Sequence, residues 1–381
     1  MATIPSISFI PSGYKAGKLY SVLPTNGNAD LTVVRNSTAN RINKDGLIES
    51  MAVNVPLLDH SNGTCPSLLL QPQSTNLITY PLSFDNAYWT ISGATVTSGF
   101  SAPSVDNPTS AFKLVTTSNS SLLYRGSTGS TGENTVSVYA KSNTSSDQKF
   151  RFFGNGNTLV SDDKIANQDW QRFEFTGTFS SVTWGIKGAS VSETNDILIF
   201  GYQHEVQSYA TSLMLPATEG STTTRLKDEV SKTGLSADIN SVEGTLFVEM
   251  AALADDLSER RLSLSDGISS NVVRVGYTNI SNRIIAVVFN GSNQAVMTYT
   301  SSDITVKSKI AVKYKENDFA LWVDGVERAI DSIGTTFSEN TLNRIGFDGG
   351  SGVSNSFNKT NQLQVFKTAL TDAELAVLTT I

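Results

Sequence analysis

Residues 41–76 read RINKDGLIESMAVNVPLLDHSNGTCPSLLLQPQSTN, and they do not describe a folding unit. Lys44-Asp45-Gly46 signals a tight reversal, because Asp-Gly supplies the positive φ that such a turn needs. Pro56, Pro66 and Pro72 each remove a backbone donor and fix φ, and Ser61-Asn62-Gly63 adds another bend. Between these breaks lie only short apolar pieces at residues 47–48, 53–55, 57–58 and 68–70. Such a segment has too little to bury alone, so it is expected to run extended over a larger body. Upstream, residues 6–10 and 30–35 each carry an edge-strand pattern, separated by turns at Pro11-Ser12-Gly13 and Asn26-Gly27-Asn28. Residues 1–77 therefore read as a strap, anchored on the next domain or on a neighbouring subunit.

The chain of 381 residues exceeds one ordinary domain, and 39% hydrophobic residues can fill real cores. Only 17% of residues are charged, and the net charge of −7 argues against a nucleic-acid partner, which would require a basic patch. No apolar run approaches the roughly 20 residues of a membrane span, so no membrane insertion is expected. The opening MATIPSISFIPSGYKAG has no basic region followed by an apolar core, so no signal peptide is expected. A single cysteine, Cys65, excludes an intrachain disulfide framework, and two histidines, His60 and His204, leave little for a zinc site.

From residue 80 to about 209 the pattern is all β. Short alternating or apolar runs at 111–116, 121–125, 134–141, 149–153, 170–178 and 197–206 are separated by Gly, Asn, Ser and Asp. Strands at this spacing imply a sandwich, and a jelly roll is the expected form, spanning 78–228 with its linker. A second β region, 229–381, has strand patterns at 243–250, 261–265, 271–277, 283–289, 295–299, 308–314, 318–323 and 362–366. Asn290-Gly291 and Asp324-Gly325 are hairpin signals. Thr371 followed by Glu374 has capping-box spacing and starts a short closing helix.

Three stretches carry a resemblance. Arg41-x-Asn43-x-Asp45-Gly46-Leu47-Ile48-Glu49, then Pro56-x-Leu58-Asp59, then Cys65-Pro66-x-Leu68-Leu69-Leu70-x-Pro72 resembles a segment of tailed-bacteriophage tail-fibre-like and head-fibre-like virion proteins. Those proteins more often carry Arg at Leu57, Glu at Gln71 and Arg at Ser74. A second phrase matches at Gln203, Glu205, Ala210-Thr211-Ser212, Gly220-Ser221, Thr224-Arg225 and Asp228; there the family usually has Leu where His204 stands. Residues 134–141 and 170–173 look like strands of the carbohydrate-binding-module-like domains found after this strap. Residues 321–326, 364–366 and the closing helix resemble laminin-G-like, concanavalin A-type sandwiches, which implies a fold and says little about ligand.

Hydrolysis needs two placed carboxyls, and the Glu-x-Asp-x-x-Glu string of glucanase relatives is missing. Glu316-Asn317-Asp318 reads as a hairpin turn, so no enzyme is expected. The sandwich resemblance implies no cofactor beyond a structural calcium ion, for which Asp266 and Asp348 are the loop candidates beside their plain turn reading. For glycan stacking the four tryptophans are Trp89, Trp170, Trp184 and Trp322. Trp89, Trp170 and Trp322 read as structural, and Trp184 is the platform candidate, with a core position as its alternative.

The resulting expectation is a bacteriophage virion protein, of tail or head fibre type, that binds host cell-surface polysaccharide as a homotrimer among other virion proteins. The alternative is a decoration or adaptor protein that binds other virion proteins and no glycan.

Overall fold

In the computed structural model, which describes residues 3–126, 132–179 and 183–381, the alternating runs become antiparallel strands, and Asp372–Thr379 is the one α-helix among the described residues. The fold is all-β, built from sandwiches. Two units partition the chain: residues up to Thr38 with Met51–Pro72 and Lys227–Ile381, and Ala39–Ser50 with Gln73–Leu226. Residues 1–77, expected as a separate strap, are thus shared between the units, and their pieces are sheet members of this same chain.

The first unit is the concanavalin A-like sandwich. One sheet runs in the order Val326–Asp331, Phe319–Val323, Ser308–Tyr314, Gly244–Ala252, Asn358–Phe366, Ser67–Leu69, Leu58–Asp59, with Ile7–Phe9 also paired to Asn358–Phe366. The other runs Tyr14–Lys15, Lys18–Leu19, Leu31–Val34, Glu229–Thr233, Arg344–Gly346, Arg260–Ser265, Asn271–Tyr277, Arg283–Asn290, Asn293–Thr300. Alternation decides the faces. Leu246, Val248, Leu363 and Val365 of one sheet meet Leu262, Leu264, Val273 and Val275 of the other in a single core. Strap residues Ile7, Phe9, Leu31, Val33, Leu58 and Leu68 are buried in that core, each contributing about 2 kcal/mol. Asp324 (φ 53°) and Gly325 (φ 78°) make the expected tight hairpin. The capping box forms as well. Thr371 Oγ1 accepts from Glu374 N, and the Glu374 carboxylate accepts from Thr371 N. The helix lays Leu375 on the outer side of the first sheet, against Phe247, Ala311, Trp322 and Phe366.

The second unit is the jelly roll. Its sheets run Thr90–Ser92, Leu122–Gly126, Thr183–Gly188, Gln148–Gly154, Leu159–Val160 and Ala94–Phe100, Ala111–Thr116, Asn195–Glu205, Gly132–Ser142, Gln171–Phe179. Leu114, Val136, Val138, Ile197 and Ile199 pack against Leu123, Phe150, Phe152 and Ile186 between them. The strap supplies a hairpin, Ala39–Ile42 and Ile48–Met51, turned at Asp45-Gly46 (Gly46 φ 76°). Its Ile42 and Ile48 cover part of the outer face of the second sheet with Phe200 and Leu213.

Polar groups hold the strap as well. In the first unit Arg35, 1% exposed, donates to Asp228 Oδ1 at 3.0 Å and to the carbonyls of Ser37, Ala52 and Val55. Asp228 Oδ2 accepts from Gln71 N at 2.9 Å. In the second unit the buried Glu205 carboxylate accepts from Ser74, Gln203, Gln207 and Thr211. Beside it Ser74–Asn76 pairs with Thr223–Arg225. Replacing Arg35 by Ala leaves Asp228 buried without its cation, and this is expected to lower stability by about 3–5 kcal/mol in urea unfolding.

Candidate functional site

The platform candidate Trp184 fails on burial. Its strand, Thr183–Gly188, is central, between Leu122–Gly126 and Gln148–Gly154, and Trp184 is 0% exposed in the jelly-roll core. It therefore offers no face to a sugar, and its core alternative is the correct one. The strand was hidden by its glycines. A Cβ on Gly185 would lie 2.1 Å from Leu123 O, so the close approach of the neighbouring strand requires glycine there.

His204 lies against Trp184, with ring centroids 4.4 Å apart, and is fully buried. Asn134 Oδ1 stands 3.0 Å from Nε2, which selects the Nε2–H tautomer and leaves Nδ1 without a proton in the core. Burial pushes its pKa down from the ordinary 6.5 to about 4, so its ring is neutral in the core at neutral pH.

The two calcium candidates are occupied by other partners. Asp266 accepts from Ile268 N at 3.0 Å and from Asn271 Nδ2 at 2.9 Å, closing its own turn. Asp348 takes both ends of the Arg344 guanidinium and the Gly350 N–H. Burial pushes the Asp348 pKa up, but these hydrogen bonds and the arginine charge outweigh it and hold the carboxyl below its ordinary value. A guanidinium in that place opposes a cation, and among the described residues no group of three His, Cys, Asp or Glu converges as a metal site. Asp266 and Asp348 are thus turn and ion-pair residues.

A different surface of the jelly roll brings aromatic and cationic side chains together. Val136, Val138 and Ala140 face the jelly-roll core, so Ser137, Tyr139 and Lys141 project from the opposite face of their strand. Arg172 is the cross-strand partner of Tyr139, and its guanidinium carbon lies 5.5 Å from the Tyr139 ring centroid. Arg172 Nη2 also donates to Ser137 Oγ at 2.9 Å. Trp170 packs into the same cluster, with the Lys141 ammonium 5.7 Å from its ring. All four of Tyr139, Lys141, Trp170 and Arg172 are half-buried. The result is a half-buried group of two aromatic rings, each with a cation over its face, packed against Ile48, Phe200 and Leu213. Trp170, read from sequence as structural, packs on the unit's second hydrophobic cluster, on the outer side of this sheet. The inward alternation of Val136, Val138 and Ala140 carried the signal, because it assigns Lys141 and Tyr139 outward.

In the first unit, Phe366, Leu370, Val377 and Leu378 line a groove of about 330 Å³ beside the helix. Thr3 and Glu374 also line it, but Thr3 Oγ1 donates to the Glu374 carboxylate, so the wall facing the groove is mostly apolar.

No family model matches the sequence, and no curated protein matches it. Among solved structures the chain is similar to the CBM40 of Ruminococcus gnavus IT-sialidase bound to α2,3-sialyllactose. That match has 16% identity and a TM-score of 0.33, covering 39% of this chain and 91% of that one. It is also similar to the leech intramolecular trans-sialidase, at 16% identity and TM-score 0.31, covering 37% of this chain and 24% of that one. Sheep galectin-11 in complex with glycerol matches at 9% identity and TM-score 0.24, covering 33% and 90%.

The buried histidine has a pH signature. Below about pH 6.5 the unfolded chain binds a proton at His204 that the folded chain refuses until about pH 4. Stability contributed by the neutral ring is full above that window and is lost as pH falls through it, by about 3 kcal/mol. His204→Leu is expected to flatten this part of the stability profile, measured by urea unfolding between pH 7 and pH 4.5.

Proposed function

We propose that the protein is a non-enzymatic surface component of a tailed-bacteriophage virion that holds host cell-surface polysaccharide on the outer face of its jelly roll. The single observation that carries the glycan assignment is the patch of Tyr139 and Trp170 flanked by Arg172 and Lys141. The virion assignment rests on the resemblance of the strap and of the 203–228 phrase to tail and head fibre proteins. Shallow stacking contacts of this kind are individually weak, and a homotrimer would raise their avidity. Nothing in this reading calls for hydrolysis. Asn317 (φ 56°) turns the Glu316–Asp318 hairpin, and Asp318 pairs with Lys313 at 2.6 Å.

The test is saturable binding of the fluorescently labelled full chain to a panel of bacterial strains, before and after their surface polysaccharide is stripped. Trp170→Ala and Tyr139→Ala are each expected to weaken binding about tenfold, equivalent to about 1.4 kcal/mol, with folding unchanged by circular dichroism. A folded oligomer that binds purified virion proteins and ignores every strain would replace this reading with the decoration or adaptor one.

A further inference from the structure

The nine-stranded sheet of the concanavalin A-like unit has an outer face whose chemistry is unlike that of the aromatic patch. Leu262, Leu264, Val273 and Val275 point into the core, so Arg261, Ser263 and Arg274 belong to the opposite face. Ser263 and Arg274 are direct cross-strand partners, and Arg261 lies two residues along from Ser263 on the same strand. Gly276, the partner of Arg261, adds no side chain to this face. The 347–356 loop reaches the same strands: Ser354 O accepts from Arg261 N, and Gly350 O accepts from Ser265 Oγ.

This face is largely buried at Arg261 and Ser263, reaches solvent at the half-buried Arg274, and leaves several donors unanswered. Arg261 is 6% exposed and Ser263 is 0% exposed. Glu259 Oε1 takes Arg261 Nη2 at 2.7 Å, but Arg261 Nε, Arg261 Nη1, Ser263 Oγ and Arg274 Nε have no hydrogen-bond partner among the described residues. Buried donors are nearly always satisfied, and several together with no acceptor form an arrangement that calls for one. Two like charges sharing the face reinforce the argument. The Arg274 pKa is pushed down by burial first and by the Arg261 charge second, with Glu259 opposing. Arg261 is ion-paired with Glu259 and Arg344 with Asp348, so among the described residues Arg274 carries the uncompensated charge of this face.

The geometry points to an oxyanion-binding site formed by Arg261, Ser263 and Arg274, one that takes a carboxylate, sulfate or phosphate group, free or carried on a saccharide. Such a group supplies acceptors to both arginines and the serine hydroxyl and cancels the repulsion between the guanidinium groups. The aromatic patch of the other unit takes no part in it, so the two assignments stand or fall separately.

Isothermal titration of the full chain with sodium glucuronate, glucose, sodium sulfate and sodium phosphate, at ionic strength matched with chloride, tests the site. At least one oxyanion is expected to bind saturably, with glucose and chloride giving no saturable signal; glucuronate above sulfate and phosphate identifies an acidic sugar, and the reverse order a free inorganic anion. Arg261→Gln and Arg274→Gln are each expected to weaken that binding about tenfold or more, while Trp170→Ala leaves it unchanged. Ser263→Ala alters no charge and is expected to weaken binding about fivefold, which keeps the test decisive if an arginine variant fails to fold. Absence of saturable oxyanion binding, or affinities unmoved by all three substitutions, overturns the site.

Discussion

A strap of isolated dipeptides and prolines cannot bury enough surface to hold its own course, and one guanidinium sets that course in the concanavalin A-like unit. Arg35 donates to Asp228 and to three strap carbonyls, those of Ser37, Ala52 and Val55. Each of these acceptors lies in a segment with no ladder of its own to satisfy it. A single planar group with five donors, itself buried, reaches them all. The strands Ile7–Phe9, Leu31–Val34 and Ser67–Leu69 can then join the sheets in register with Asn358–Phe366 and Glu229–Thr233.

The jelly roll repeats this logic with the charge reversed. Glu205 is wholly buried yet accepts from four residues, so its carboxylate is held by hydrogen bonds rather than by solvent. Gln203, Glu205 and Thr211 belong to the 203–228 phrase singled out in the sequence, as do Arg225 in the paired strand and Asp228 in the other tie. That phrase is therefore a structural joint. It explains how a strap is locked to a sandwich and carries no information about what the sandwich binds, which is why ligand chemistry has to be sought on the sheet faces.

On those faces, a residue's partners matter more than its type. Trp184 and Trp170 are both single tryptophans near glycine- or aspartate-rich turns, and either could be read as core or platform. Trp184 lies on a central strand with its ring against His204 inside the jelly-roll core, whereas Trp170 precedes an edge strand and packs half-buried on the second cluster, under the Lys141 ammonium. Asp348 likewise has the loop setting of a cation ligand, but four residues before it stands Arg344, whose side chain folds back onto it. The sequence left both outcomes as alternatives, because the spacing of a loop does not say which way its side chains turn.

Alternation of period two, Asp-Gly and Asn-Gly turns, and the Thr371–Glu374 box were legible in the chain itself, and with them the all-β class, most strands, two hairpins and the closing helix. These are local preferences, set by backbone sterics and by which face of a pleat must be apolar. The sequence also placed the joints at 41–76 and 203–228. Only the tertiary structure decided that early strands complete the sheets of the C-terminal sandwich, that Glu205 and Asp228 are buried, and that Tyr139, Trp170, Arg172 and Lys141 share one surface. It alone brought Arg261, Ser263 and Arg274 together with unanswered donors. A period of two states that a residue alternates between faces, but which strand lies alongside, and what covers each face, depends on contacts between residues hundreds of positions apart.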